Sequence, residues 1–363
     1  MEFAGTEVRR FFPGGNTAYG FYSFYDQIIR PEEARKIFVL KGGPGVGKST
    51  FMRGLAAAMT SRGFAVELLQ CSSDNDSLDG VVFPTLKVAL LDGTAPHVVD
   101  PRYPGCVDDI ITLGEYWDEA GLVAVRKEII ATARAIEGHF ARAYRLLRAA
   151  KEIRDVLAAE NGARCRRGRL YTLLHTLEEE LFSGQRSADP PGRVRHLFAS
   201  AITPDGPREY LATVFSSARR KIVLTGPPGT GKSFLLAGLL AAAVRRGFEV
   251  ECFHCGFDPH RVEHLFIPEL SIGLITANDY HPYSPADARL LALEENLVPG
   301  ADDDQGKEAM TLFADLIGRA VGCLAQAKAA PDRLEKYYVP HMDFAAIDRL
   351  REKTLTRLLM YAG

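Results

Sequence analysis

Apolar and polar positions follow two regimes along the chain, short apolar runs of strand length and longer stretches with helical spacing, and the same succession occurs twice. Lys36 to Lys41 and Lys221 to Thr225 are β-rich runs that lead into glycine. From Ser49 to Arg62 and from Ser233 to Arg246 the apolar residues recur at helical spacing, and Gly63 and Gly247 stand where a helix C-terminus favours a residue without Cβ. Phe64 to Cys71 and Phe248 to Cys255 predict second strands, and Leu86 to Leu91 and Leu270 to Ile275 predict third strands. Strand–helix–strand units of this kind predict an α/β fold with a parallel sheet covered by helices. Val107 to Phe182 is rich in Ala, Leu, Arg and Glu and has no proline, which predicts several long helices. The matching stretch from Ala286 onward is also helical in pattern but broken by Pro299-Gly300, Pro331 and Pro340.

The two successions are copies of one sequence. Without a gap, an offset of 184 pairs Gly54 with Gly238, Arg62 with Arg246, Glu67 with Glu251, Cys71 with Cys255, Asp74 with Asp258 and His97 with His281. About a third of the positions from Gly42 to Pro101 are identical at that offset. Upstream, an offset of 186 pairs Arg9 with Arg195, Phe12 with Phe198, Thr17 with Thr203 and Gly20 with Gly206, so each copy begins before its glycine run. The polar, Pro- and Gly-rich segment from Ser183 to Gly192 separates the copies. Two domains are therefore expected, residues 1–185 with a helical extension and 186–363 with a helical C-terminal region, packed as an intramolecular pseudo-dimer.

Composition narrows the function classes. A chain of 363 residues has room for two cores, and 47% hydrophobic with 25% charged residues excludes whole-chain disorder. The net charge of −2 argues against a surface built to hold nucleic acid. The run Phe234 to Val244 spans 11 residues, short of the about 20 that cross a bilayer, and no export signal is visible near Met1. With six scattered cysteines, a cytoplasmic protein with buried free thiols is expected, and Cys252-Phe-His-Cys255, with His260 and His264 nearby, reads as buried thiols rather than a zinc site.

The chemistry is concentrated in two glycine runs. One is Gly42, Gly43, Pro44, Gly45, Val46, Gly47, Lys48, Ser49 and Thr50; the other is Gly226, Pro227, Pro228, Gly229, Thr230, Gly231, Lys232, Ser233 and Phe234. Each has the spacing GxxxxGK[ST] between an apolar strand and a helix. Glycines let backbone N–H groups turn around phosphate oxygens, and the helix adds its positive N-terminus. Lys48 and Lys232 would reach the β- and γ-phosphates, and Ser49 and Ser233 would place hydroxyls on Mg²⁺. Both halves thus resemble P-loop NTPase domains. The second loop is similar to the Walker A of AAA-type ATPases, and the whole chain resembles bacterial proteins with two such AAA-like domains in tandem. The resemblance implies two three-layer α/β/α domains with added long helices, ATP and Mg²⁺ as ligands, and a nucleotide as partner.

In P-loop enzymes a carboxylate at the end of a neighbouring strand helps to hold Mg²⁺ and its waters, and Asp92, which ends Val88-Ala-Leu-Leu-Asp92, fits that role. The matching residue of the second half is Thr276, with Asp279 three residues on. Hydrolysis is therefore expected mainly in the first half, with Lys48, Asp92 and His97 as catalytic candidates and Ser49, Asp92 and Ser233 as metal ligands. Asp74, Asp258, His97 and His281 should lie at the carboxyl edge of the strands, either orienting ligands or capping loops. Arg9, Arg195 and Arg102 are candidates to meet phosphoryl charge, and the arginine-rich Ala163 to Arg169 could form an arginine-bearing lid. A slow ATPase leads, a kinase for a small molecule or nucleotide is the rival, and an ATP-sensing regulatory module, with a protein or small-molecule partner, is the third reading.

Overall fold

The computed structural model describes residues 7–94, 99–184, 187–299, 304–329 and 331–363. In the first half, β1 (Val8–Phe11) and the hairpin β2 (Gly14–Thr17) and β3 (Gly20–Ser23) precede β4 (Lys36–Lys41), α1 (Lys48–Thr60), β5 (Val66–Gln70), β6 (Leu78–Phe83), β7 (Val88–Asp92) and β8 (Asp108–Thr112). Three helices follow, α2 (Glu119–Ala124), α3 (Arg126–Arg164) and α4 (Arg167–Phe182). The second half repeats the order with β9 (Val194–Phe198), β10 (Ser200–Thr203), β11 (Gly206–Glu209), a short α5 (Leu211–Val214), β12 (Arg220–Thr225), α6 (Lys232–Arg245), β13 (Val250–His254), β14 (Val262–Ile267), β15 (Ile272–Thr276) and β16 (Arg289–Ala292). It ends in α7 (Asp304–Ala329), α8 (Pro331–Tyr338) and α9 (Phe344–Leu359). No helix among the described residues is long and apolar enough to cross a membrane.

Each half builds a six-stranded sheet of the same topology, β1-β5-β6-β7-β4-β8 and β9-β13-β14-β15-β12-β16. The expectation of a parallel sheet is corrected here. β6 runs antiparallel to both β5 and β7, and β14 does the same between β13 and β15, so both sheets are mixed. The reason is local: after the second strand the chain turns within Ser72–Ser77, where Asp74 accepts from the Ser77 hydroxyl, and comes straight back as a hairpin instead of crossing over through a helix. The glycine-loop strands keep the expected parallel neighbours, β7 beside β4 and β15 beside β12, and gain a second parallel neighbour each in β8 and β16, which lie at the start of the two stretches read from sequence as helical.

The helices are exchanged between the halves. One face of the first sheet packs Phe38, Leu40, Leu68 and Leu90 against Phe51 and Leu55 of α1 and against Ile347 and Leu358 of α9, which comes from the far end of the chain. The equivalent face of the second sheet packs Ile222, Leu224 and Leu274 against Leu235 and Leu239 of α6 and against Leu170, Leu177 and Leu181 of α4. Leu170, Leu177 and Leu181 fall on one helical stripe, so α4 must bury that side somewhere. α3 and α7 lie along each other, with Leu147 and Ala150 packed among Phe313, Ile317 and Leu324. The opposite faces of the two sheets share one core, in which Phe11, Val39 and Leu91 join Leu197, Val223 and Phe253. Short segments around Tyr25–Ile28 and Leu211–Phe215 line that core, where a three-layer domain would carry its second layer of long helices.

Contacts across the halves are reciprocal, as an approximate two-fold axis requires. Phe12 N donates to Phe198 O at 2.9 Å and Phe198 N donates to Phe12 O at 3.2 Å. Trp117 bridges to Met342, and its counterpart Leu297 bridges to Cys165.

Candidate functional site

The first glycine loop joins β4 to α1, and at Gly47 the backbone has φ of +85°, left-handed, so the turn that starts the helix needs glycine. Lys48 Nζ donates to Gly42 O at 2.8 Å and Gly43 O at 2.9 Å and lies 3.6 Å from Asp92 Oδ2. Parallel pairing sets this approach, because β7 lies beside β4 with Asp92 opposite Leu40. Asp92 Oδ1 accepts from Thr94 N at 2.8 Å, and the Thr94 hydroxyl donates to Gly42 O at 2.9 Å. Asp92 therefore caps its turn and pairs with Lys48 at the same time. Ser49 Oγ accepts from Leu78 N at 3.0 Å. His97 lies outside the described residues.

At the second loop Lys232 Nζ donates to Gly226 O, to Pro227 O at 2.9 Å and to Thr230 Oγ1 at 3.3 Å. Buried Thr276 occupies the strand end where the first half has Asp92, and among the described residues no carboxylate forms an ion pair with Lys232. Burial, and then the charges of Arg261 and Arg154, push the Lys232 amine down to about 8. The loop is thus short of negative charge.

A cavity of about 620 Å³ opens beside this loop. Lys232, Ser233, Arg154, Arg261 and Glu263 are among its polar lining, and Phe257, Tyr280 and Phe313 among its aromatic lining. Arg154 comes from α3, with its guanidinium over the Phe257 ring at 5.4 Å. Glu263 was not among the expected site residues because its strand, β14, was not expected. The signal was present in the sequence: a carboxylate inside an apolar run at equivalent places in both halves, Asp79 and Glu263. Burial alone would raise the Glu263 carboxyl, but the charge and hydrogen bond of His281, then His264 and Arg154, hold it well below the usual carboxylate range. His281 Nε2 is 3.2 Å from Glu263 Oε1 and 2.8 Å from Asn278 Nδ2. His264 Nδ1 accepts from Thr276 N at 3.1 Å, so the neutral ring carries its proton on Nε2, which lies 3.8 Å from Glu263 Oε2, beyond hydrogen-bond distance.

Both loops are covered from the other half. Asn161 Nδ2, near the end of α3, donates to Pro228 O at 2.8 Å, and a methyl group on Gly229 would meet Ala158 O at 2.3 Å, so glycine is required there by contact as well as by its φ of +88°. Cys165 Sγ lies 3.8 Å from Thr230 O, which brings the arginine-rich turn to the rim of the second loop. Its side chains reach backbone oxygens there, Arg164 to Val298 and Arg169 to Glu295. At the first loop the covering residues are Glu335, Tyr338 and Phe344, against Gly45, Gly43 and Gly47. No protein-family model matches the chain, and no curated protein or solved structure is significantly similar to it.

The remaining candidates lie elsewhere. Arg9 and Arg195 do not approach the loops; they lie partly buried between the halves, each in contact with both Glu67 and Glu251. Arg102 is exposed, its backbone N–H bonded to Asp108 Oδ2 at 2.7 Å. Asp74 and Asp258 cap turns through Asp76 N and His260 N, both at 3.3 Å, and Asp74 also pairs with Lys328 of α7 at 3.0 Å. Asp279 is exposed at the cavity mouth.

Proposed function

We propose that both glycine loops are P-loops that bind MgATP, and that the protein hydrolyses ATP slowly, mainly in the first half. The observation that carries this reading is the 3.6 Å approach of Lys48 Nζ to Asp92 Oδ2 at the start of α1, where Ser49 is the next residue. A Mg²⁺-bound triphosphate needs an amine, a hydroxyl and a carboxylate of this kind, and Lys48, Ser49 and Asp92 would supply them. Bound MgATP would supply the reactive phosphoanhydride and the metal charge. Lys48 would neutralise phosphate oxygens, Ser49 and Asp92 would hold the metal and its waters, and the backbone N–H groups of Gly45 to Ser49 would orient the chain of phosphates. In the second half Lys232 and Ser233 would hold the nucleotide, and the cationic surplus from Arg154 and Arg261 fits a polyanion. Six free cysteines accord with a cytoplasmic setting.

Titration with MgATP is expected to show two sites, one lost in Lys48→Ala and the other in Lys232→Ala. Asp92→Asn should lower phosphate release about 100-fold, equal to about 3 kcal/mol, with both sites still filled. Turnover that survives Asp92→Asn but disappears in Lys232→Ala would place hydrolysis in the second half.

A second reading, phosphoryl transfer to a bound acceptor, is favoured by the cavity beside the second loop, whose volume offers room for an acceptor along with Lys232 and Glu263. Incubation with MgATP and a metabolite pool separates the two readings: free phosphate supports the ATPase, and a phosphorylated metabolite supports the kinase.

A further inference from the structure

We propose that His196, Cys252 and His254 form a metal site for a borderline-soft divalent cation of the zinc type, with a fourth position open to water. β9 and β13 run parallel with His196 opposite Cys252, and residues two apart on a strand share a face, so all three side chains project from one side of the second sheet at its β9 edge. His254 Nε2 lies 2.8 Å from His196 Nδ1 and 3.7 Å from Cys252 Sγ, and the three donor atoms are within 4.8 Å of one another. Around a tetrahedral zinc ion, nitrogen at about 2.05 Å and sulfur at about 2.3 Å leave donor atoms about 3.3–3.6 Å apart. The two spacings to His254 bracket that range and His196 and Cys252 lie within 4.8 Å of each other, so one ion meets all three donors after shifts of about an ångström or less.

The fold does not require this set. At the same register positions the first half carries Arg10, Leu68 and Gln70, on strands paired in the same way. The duplicated scaffold is thus satisfied without ligands, and the second half alone brings two imidazoles and a thiol together. His196 is partly exposed and offers the ion a way in. Phe24 of the first half lies against both imidazoles, with centroids 5.9 Å from His196 and 4.7 Å from His254, so the site sits where the two halves meet.

Binding exchanges protons for the cation. Cys252 gives its thiol proton to solvent and binds as thiolate. The proton that bridges His196 Nδ1 and His254 Nε2 moves to the far nitrogen of whichever ring carries it, and both rings stay neutral. One proton is released per ion.

The test is a Co²⁺ titration of the full-length, reduced, nucleotide-free protein. A thiolate-to-cobalt charge-transfer band is expected to saturate at one ion per chain, to be abolished by Zn²⁺, and to be accompanied by release of one proton. Cys252→Ala should remove the band, and replacement of the exposed thiol in Cys106→Ala should leave it. His196→Gln lies on an edge strand and should fold even if Cys252→Ala does not; loss of a ligand there should weaken affinity by more than about tenfold. A native protein, folded by circular dichroism, that shows no band would overturn the proposal. So would a band that persists unchanged in His196→Gln or in folded Cys252→Ala.

Discussion

Arg195 Nη2 lies 2.7 Å from Glu67 Oε2, an ion pair that crosses from one half of the duplication to the other. Its counterpart joins Arg9 to Glu251, and each arginine also reaches the carboxylate on its own sheet, Arg9 to Glu67 at 3.2 Å and Arg195 to Glu251 at 3.4 Å. Two cations and two anions therefore neutralise one another on the approximate two-fold axis, with both carboxylates buried and both arginines partly so. Removing one partner leaves an uncompensated buried charge, which costs about 3–5 kcal/mol. Glu67→Gln is expected to lower the stability measured by urea unfolding by that amount, and a loss below about 1 kcal/mol would show that water reaches the cluster.

Exchange of helices makes each half incomplete alone. Residues 1–185 lack α9, whose Ile347 and Leu358 complete the first core, and residues 186–363 lack α4, whose Leu177 and Leu181 complete the second. Either fragment expressed alone should bind a hydrophobic dye and unfold without a cooperative transition, and mixing the two should restore both properties. Within the intact chain, Leu358→Ala should cost about 2–5 kcal/mol, read from the urea midpoint.

Lys232 carries a pH dependence of definite sign. Its amine titrates at about 8 in the folded chain and at the ordinary value of 10.5 when unfolded. Between those values the unfolded chain binds more protons at this group, so its contribution to stability rises with pH from about 8 to 10.5. An anionic ligand at the second loop reverses the preference, because it favours the charged amine. Nucleotide binding there should take up protons between pH 8 and 9, measured by calorimetry in buffers of different ionisation enthalpy, and affinity should fall above pH 8. Arg261→Gln removes one of the repelling charges and should move that fall to higher pH. Affinity that stays level to pH 10 in the native protein would contradict the assignment.

His264 acts in the same direction at lower pH. Burial pushes this imidazole down to about 3, against 6.5 in the unfolded chain, so the unfolded state takes up the proton first as pH falls. Stability contributed by the neutral ring is complete above 6.5 and is lost progressively toward 3. Between pH 6.5 and 5, where unfolded carboxylates still hold their charge, His264→Gln should flatten the decline of the urea midpoint with pH. Equal slopes for native protein and variant would show that other groups cause it.

Much of the local geometry was legible from residue order. GxxxxGK[ST] places a loop between strand and helix because glycine backbone geometry and helix initiation act over a few residues, and Asp92 could be set beside the loop because a strand end followed by glycine is a local pattern. The offset of 184 announced two copies. β6 and β14 escaped notice because Asp79 and Gly80, or Glu263 and His264, interrupt the apolar run, and strands of that kind persist through pairing on both sides. The same omission hid Glu263. His196 could not be joined to Cys252 and His254 from sequence, since more than fifty residues separate them and only the β9–β13 register brings them together. The stripe Ile347, Thr354 and Leu358 shows that α9 buries one side, yet burial of apolar surface is non-directional and names no partner. Sequence alone therefore determined the repeated loops and the strand and helix that flank each, because their causes are short-ranged. Only the tertiary structure decided which half covers which loop and where Arg9 and Arg195 find their counter-charges, because those choices rest on shape and charge complementarity between segments far apart in the chain.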